Sequence, residues 1–252
     1  MIPFASLFTG GGLADHGARM AGLTPLWGVE LDPQIAAVAQ QNDSTGRIYA
    51  ASVLDMDYAQ LPPVQILHAS PPCPNFSIAK TGAAESDLDR ALAHAVVRAV
   101  TAQRPQLFTL ENVRGYARSQ SLAIIRAGLL DLGYSVTTQI VNAADYGVPQ
   151  TRERLYLIAH AGGHRARVAQ PTHSKMGDMF HAPWIGWYAA IEDLIPTLPD
   201  SQFAPWQLKR LSADLCGMLV HGTSTMEIRA ADEPSAGPVL APQEHAAFFH
   251  AL

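Results

Sequence analysis

The chain has 252 residues, of which 48% are hydrophobic and 15% charged. That composition excludes a disordered or fibrous protein and suits one sizeable core, or a core domain with a smaller appendage. The net charge of −5 excludes a protein that holds nucleic acid by bulk electrostatics, so any such contact must be local.

No apolar run approaches the ~20 residues of a membrane span, and no basic region precedes the opening Met1-Ile2-Pro3-Phe4. No membrane partner is therefore expected, and the chain is placed in the cytoplasm. The cysteines, Cys73 and Cys216, are far apart and form no CxxC, which argues against a disulfide framework or a cysteine-based zinc site. No metal is expected, and a lone thiol remains a candidate nucleophile.

In chain order, Ile2 to Phe8 predicts a short strand, followed by Thr9-Gly10-Gly11-Gly12 and a helix running to Ala21. Strand, glycine turn and helix open a nucleotide-binding α/β unit, because glycine lets the backbone turn tightly and a ligand approach it. The spacing is not GxGxxG, which weakens a dinucleotide reading. Pro25 to Val29 predicts a second strand ending in Glu30, and Asp32-Pro33 predicts the cap of a helix over Gln34 to Gln41. An acid about 20 residues after a glycine loop is where ribose hydroxyls are held. Arg47 to Ala51 is a third strand, with Asp55 in the turn after it and Asp57 as a cap.

Val64 to Ala69 is an apolar run cut short by Ser70-Pro71-Pro72-Cys73, so the prolines deliver a cysteine to the end of a buried strand. Taken alone, Cys73 is more readily a small buried residue than a nucleophile. The segment from Ile78 to Ser86, rich in Ala, Gly and Thr, reads as a lid. A helix over Leu88 to Gln103 leads into a strand from Gln106 that ends at Glu111-Asn112-Val113, expected beside the Cys73 strand. Leu122 to Leu132 is helix with Gly133 as its C-cap, and Tyr134 to Val141 is strand. Gln150 to Arg154 enters a strand over Leu155 to Ala159, and alternation places Gln150, Arg152 and Arg154 on one face. From Ala161 the texture becomes irregular, and six Lys/Arg against nine acids give that region no basic stripe.

Together, Phe8-Thr9-Gly10-Gly11-Gly12, Glu30, Asp55, Pro71-Pro72-Cys73 with Phe76-Ser77, Glu111-Asn112-Val113, and Tyr146-Gly147-Val148-Pro149-Gln150 leading to Arg152 and Arg154 resemble the DNA (cytosine-5)-methyltransferase family. The resemblance spans residues 1 to 159 in family order. It implies an α/β fold, a Rossmann-like class I methyltransferase sheet with helices on both faces, plus a small, partial target-recognition region. The expected domains are an S-adenosylmethionine-binding catalytic domain over 1–160 and a partial target-recognition region over 161–252.

The implied reaction moves a methyl group from S-adenosylmethionine to carbon 5 of a cytosine flipped out of double-stranded DNA, leaving S-adenosylhomocysteine. Cys73 is the implied nucleophile on carbon 6. Glu111 serves ring N3, and Arg154, supported by Arg152, holds the base carbonyl. The implied cofactor residues are Phe8 against adenine, Thr9 and Gly10 to Gly12 beside the methionine part, Glu30 with Leu31 at the ribose, and Asp55 with Met56 at the adenine, joined by Pro72 and Leu92. Pro71, Ser77, Lys80, Asn112 and Gln150 are the implied substrate-side residues. A prokaryotic or phage-type, nucleoid-associated protein of a restriction-modification kind is implied.

Two departures accompany the resemblance. The Gly-Asn-x-Val block that follows the recognition region in the family has no counterpart here, so a truncated product, a split enzyme completed by a second chain, or an unusually small relative is expected. The arginine after the acid that opens the lid-following helix is displaced by one, at Arg90. The alternatives to an active DNA enzyme are a subunit that binds DNA or cofactor but is inactive alone, and a tRNA cytosine-5 methyltransferase.

Overall fold

The computed structural model describes residues 1–42, 45–72, 85–164 and 166–197. Contacts divide the chain into two units. One comprises Met1–Val141 and Glu153–Ala169, the other Asn142–Arg152 and Gln170–Leu252.

The first unit alternates strands and helices: β1 (Ile2–Leu7), α1 (Leu13–Met20), β2 (Leu23–Glu30), α2 (Pro33–Asn42), β3 (Arg47–Ala50), β4 (Ile66–Ala69), α3 (Asp87–Gln103), β5 (Leu107–Val113), α4 (Gln120–Asp131), β6 (Ser135–Asn142) and β7 (Glu153–His160). The strands form one sheet in the order β3-β2-β1-β4-β5-β7-β6. β1 pairs in parallel with β2 and β4, and β5 joins β4 in parallel but meets β7 antiparallel. The chain winds from β1 toward β3 and then returns to build outward from β4. The carboxyl ends of β1 and β4 therefore flank the switch point, where open α/β sheets place their ligands.

Local chemistry sets the helix boundaries. Asp32 Oδ1 accepts the Gln34 and Ile35 amides at 2.8 and 3.2 Å, so α2 opens on a capped Pro33. Ser86 and Asp89 exchange side-chain-to-backbone bonds in a capping box at the start of α3. Ser119 Oγ takes the Leu122 amide at 2.9 Å at the start of α4. Gly133, at φ +85°, follows the end of α4.

The core lies between the sheet and α3 and α4. Ala93, Val96, Ala99 and Val100 meet Leu67, Phe108, Leu110 and Leu157, with Ile125 and Leu129 from α4 closing the layer. The alanines on α3 let its backbone approach the sheet closely. Burying an apolar side chain of Val or Leu size contributes roughly 1.5–3 kcal/mol each, which makes this layer the main source of stability.

In the second unit, β8 (His173–Ser174) pairs in parallel with β9 (Ala182–Pro183), and a short helix, α5, spans Trp187–Ile191. Trp184 Nε1 donates to Asp145 Oδ1 at 2.9 Å, and the Thr172 amide donates to the Asp145 carbonyl at 2.9 Å. Gly147 has φ +81°, and a Cβ there would sit 2.8 Å from the His173 ring, so this turn demands glycine twice over. No helix among the described residues is long and apolar enough to cross a membrane.

Candidate active site

The glycine turn leaves β1 through Phe8, a non-glycine residue at φ +58°. A side chain in that region costs on the order of 1–2 kcal/mol, and such outliers gather where geometry serves a site. Beneath the turn is a buried polar cluster. Ser6 Oγ meets Thr9 Oγ1 at 2.8 Å and donates to both Asp15 oxygens at 3.0 and 2.9 Å. Thr9 is braced further by its amide, which donates to the Val29 carbonyl at 3.0 Å. Gly12 opens α1 at φ +85°, and a Cβ there would touch Ala39 of α2 at 3.4 Å. Gly10 lies at φ +56° with no atom where its Cβ would be, which leaves room for a ligand beside the backbone.

Glu30, at the end of β2, ties this turn to the next. Its Oε2 accepts the Gly10 amide at 2.9 Å and its Oε1 accepts the Asp32 amide at 3.1 Å. The carboxylate is half-buried, and each oxygen keeps a lone pair for a ligand hydroxyl. Leu31 beside it is exposed. After β3, the Asp55 amide closes a turn onto the Ser52 carbonyl, and its side chain is exposed. Met56, Phe8 and Leu92 are half-buried and pack on the edge of the core.

On the other side of the switch point, β4 and β5 lie in register with Ala69 opposite Leu110. Ser70 leaves the sheet at the level of Glu111 on the adjacent strand, where β5 continues against β7 to Val113. Glu111 and Arg154 form an ion pair, Nε to Oε1 at 3.0 Å, with side chains 25% and 22% exposed. Val113 faces Arg154 and Glu111 faces Tyr156 across the antiparallel pair, so Glu111 and Arg154 are diagonal neighbours on one face. A second Arg154 contact, Nη1 to the Glu153 carbonyl at 2.7 Å, fixes the guanidinium plane. Asn112 is buried on the opposite side of β5, and its Nδ2 donates to the Pro71 carbonyl at 3.0 Å. Pro71 is buried and Pro72 exposed. Cys73, Ser77 and Lys80 lie outside the described residues, as does the 78–84 part of the expected lid.

One expectation is corrected. β7 begins at Glu153, so strand alternation applies to Arg154 and not to Gln150 or Arg152. Those two residues belong to the second unit. There the Asn142 side chain holds the chain instead, its Oδ1 accepting the Ala144 and Arg152 amides at 3.2 and 3.0 Å, while the Ala143 amide donates to the Arg152 carbonyl. A side-chain bridge of this kind competes with a strand ladder. Both Gln150 and Arg152 are exposed.

Two residues that sequence reasoning passed over hold the chain on either side of 73–84. His68, the one titratable group in β4, is hydrogen-bonded through both ring nitrogens. Glu85 binds the amino end of α4, taking the Gln120 and Ser121 amides at 2.7 and 2.6 Å and the Ser121 hydroxyl. A polar residue inside an apolar strand was the available signal for His68. Glu85 had none, because its partners lie 35 and 36 residues away.

A doubly wound sheet in the order β3-β2-β1-β4-β5-β7-β6, with β7 antiparallel to β5, is the Rossmann-like methyltransferase fold. The model of C-5 cytosine-specific DNA methylases matches residues 2–207, and the chain belongs to that family. It is 30% identical over 177 residues to the type II methyltransferase M.NlaX of Neisseria lactamica, covering 69% of this chain and 52% of that one. It is 28% identical over 218 residues to the type II methyltransferase M.AquIA of Picosynechococcus, covering 77% and 88% respectively. The chain thus spans about half the length of M.NlaX and most of M.AquIA. Among solved structures, a prophage-encoded DNA modification methyltransferase from E. coli shares the fold at TM-score 0.63 and 21% identity, over 81% of this chain and 57% of that one. The Spodoptera frugiperda DNMT2 structure does so at TM-score 0.57 and 15% identity, over 81% and 61%.

Proposed function

We propose that the chain methylates carbon 5 of a flipped-out cytosine in double-stranded DNA, with S-adenosylmethionine as donor and Cys73 as nucleophile. The observation that carries this reading is the Glu111–Arg154 pair at the sheet edge, level with the start of the Ser70-Pro71-Pro72-Cys73 segment.

The residues at the glycine turn suit the donor. S-adenosylmethionine supplies an electrophilic methyl group on a positively charged sulfur. No lysine or arginine occurs in Phe8 to Gly12, so a diphosphate would find no counter-charge there. Glu30 and Asp55 offer acceptors to ribose hydroxyls and an adenine amine. Phe8, Met56 and Leu92 offer half-buried apolar surface to a ring.

On the substrate side, the Cys73 thiolate adds to carbon 6, forming a C–S bond and pushing the ring electrons toward carbon 5 and N3. Glu111 in its protonated form donates a hydrogen bond to N3 as negative charge develops there, and Arg154 donates to the carbonyl oxygen. Carbon 5 would then take the methyl group as its bond to the donor sulfur breaks, the electron pair staying on sulfur in S-adenosylhomocysteine. Loss of the carbon 5 proton to a base and departure of the Cys73 thiolate from carbon 6 restore the aromatic ring and the free enzyme. The target base must leave the duplex stack first, at a cost of a few kcal/mol.

The test is methyl transfer from labelled S-adenosylmethionine to duplex DNA by wild-type protein and by Cys73→Ser, with 5-fluorocytosine DNA as a trap. Equal transfer by both proteins, or no covalent adduct at Cys73, refutes the reading. Tight calorimetric binding of S-adenosylmethionine by this chain alone separates it from the reading in which a second chain must complete the pocket.

A further inference from the structure

The strand that ends in the Ser70-Pro71-Pro72-Cys73 segment carries one polar side chain. Leu67 and Ala69 face the core, and His68 points to the other side of β4. Its Nδ1 lies 2.9 Å from Oγ1 of Thr109, its register partner on β5. Its Nε2 lies 2.9 Å from Oγ of Ser70. A neutral imidazole offers one donor and one acceptor, and a hydroxyl can serve as either, so the three groups satisfy one another as a chain. The Phe4 ring stacks beside the imidazole, with centroids 6.5 Å apart and planes 21° from parallel. Burial pushes the imidazole down to about 4, so it is neutral at physiological pH.

The chain beyond His68 needs such a brace. Pro71 and Pro72 have no N–H, so backbone donors cannot anchor this exit from the sheet after Ser70. Ser70 is held by its amide on the Leu7 carbonyl at 3.2 Å and by its hydroxyl on His68. Pro71 is held by its carbonyl on Asn112. The two prolines also fix φ at positions 71 and 72, so fewer backbone torsions are left to absorb a rotation at Ser70.

We propose that His68, backed by Thr109, is a positioning residue that locks Ser70 and thereby sets the direction in which Pro71-Pro72 presents Cys73. The inference rests on the reading of Cys73 as the nucleophile. His68 touches no reacting atom in this role, and nothing in it requires the imidazole to change protonation state.

The full chain is compared as wild type, His68→Ala, His68→Gln, Ser70→Ala and the His68→Ala/Ser70→Ala double variant. Hydrogen exchange of peptides covering 66–76 reads the lock without requiring activity. Both single variants are expected to speed exchange there by about tenfold, with peptides from α3 and β1 unchanged. Single-turnover methyl transfer is expected to fall by about tenfold or more in His68→Ala and equally in Ser70→Ala, while the KM for S-adenosylmethionine stays within about twofold. The double variant is no slower than either single one, because both break the same link. His68→Gln, whose amide can still reach Ser70, recovers part of the rate.

Unchanged exchange in His68→Ala overturns the proposal, and so do independent, multiplying effects of the two substitutions. Exchange that rises equally in α3 and β1 assigns His68 a general stability role and also overturns it. If wild type forms no Cys73 adduct with 5-fluorocytosine DNA, the nucleophile reading fails, while the exchange arm still decides whether His68 locks Ser70.

Discussion

Gly28 on β2 gives the most direct test of how the glycine turn is held. A Cβ built there would lie 2.5 Å from Thr9 Oγ1 and 3.0 Å from both Ser6 Oγ and Ile48 Cδ1. Ile48 can swing its terminal methyl aside, but Thr9 Oγ1 cannot move freely. It is held by Ser6 at 2.8 Å and sits 3.3 Å from the Val29 carbonyl, beneath a turn whose own amides are committed. To reach ordinary van der Waals distance it must retreat by about 1 Å, which opens the Ser6 contact. Overpacking of this kind costs about 1–3 kcal/mol, and one weakened buried hydrogen bond adds about 1 kcal/mol. The lower backbone entropy of alanine in the unfolded chain returns about 0.5–1 kcal/mol. Gly28→Ala is therefore expected to cost about 2–3 kcal/mol, a fall in melting temperature of roughly 4–12 °C for a chain of this size. Urea unfolding and thermal melts measure it, and calorimetry with S-adenosylmethionine should show weakened binding because the turn moves. Adding Thr9→Ala removes the clashing oxygen, so the double variant should lose less than the sum of the two single changes. A Gly28→Ala protein that melts within about 1 °C of wild type refutes the reasoning.

Three further outcomes follow from the geometry. His68 titrates near 4 in the folded protein against 6.5 for the free side chain. The unfolded chain therefore binds the extra proton between these values, and stability is full above pH 6.5 and declines as pH falls toward 4, by about 3 kcal/mol. The difference between wild type and His68→Gln across that window isolates this share from the carboxylates, and parallel curves would refute it. For the Glu111–Arg154 pair, a double-mutant cycle with Glu111→Gln and Arg154→Met should give a coupling of about 1 kcal/mol in urea unfolding, since both side chains are only partly exposed. Either change should also slow methyl transfer by about a hundredfold or more. Glu30→Ala strips the Gly10 and Asp32 amides of their acceptor, so S-adenosylmethionine affinity should fall by about tenfold or more in calorimetry. Wild-type affinity would show that Glu30 only braces the turn.

Much of this arrangement was legible in the sequence because its signals are local. Apolar runs ending at Glu30, Ala69 and Val113 place β2, β4 and β5 to within a residue or two, and Asp32 and Gly133 mark helix ends through their own side-chain and backbone chemistry. The adjacency of the Cys73 and Glu111 strands was also readable, because successive strands of such a sheet are usually neighbours. What could not be read is non-local. The insertion of β7 between β5 and β6, antiparallel to β5, depends on pairing between residues some 45 positions apart, such as Glu111 and Tyr156. The start of β7 was misjudged for the same reason. Gln150 and Arg152 alternate with Arg154 in sequence, yet the Asn142 side chain takes the Arg152 amide and the ladder begins only at Glu153.

The alternation argument failed at Gln150 and Arg152 in a way that bears on the site itself. It treated a row of polar residues as a shared face needing one partner, whereas the folded chain divides them between two units. The partner that Arg154 needs comes from β5, as Glu111, and each explains the other's place on a half-buried sheet edge where a lone charge would be costly. The same reasoning applies to His68. A polar side chain inside an apolar strand must be satisfied, and the two hydroxyls that satisfy it belong to the strand beside it and to the residue leading out toward Pro71 and Pro72. The polar positions that interrupt buried strands in this chain thus mark where the sheet is tied to the segments leaving its edge. Glu85 extends the pattern from the far side, since its carboxylate ties the entry to α3 onto the first turn of α4. Pro71 and Glu85, on either side of 73–84, are therefore both held by partners remote in sequence, Asn112 and Ser121. That anchorage holds the last described residues before 73–84 at the carboxyl end of β4, on the strand beside Glu111.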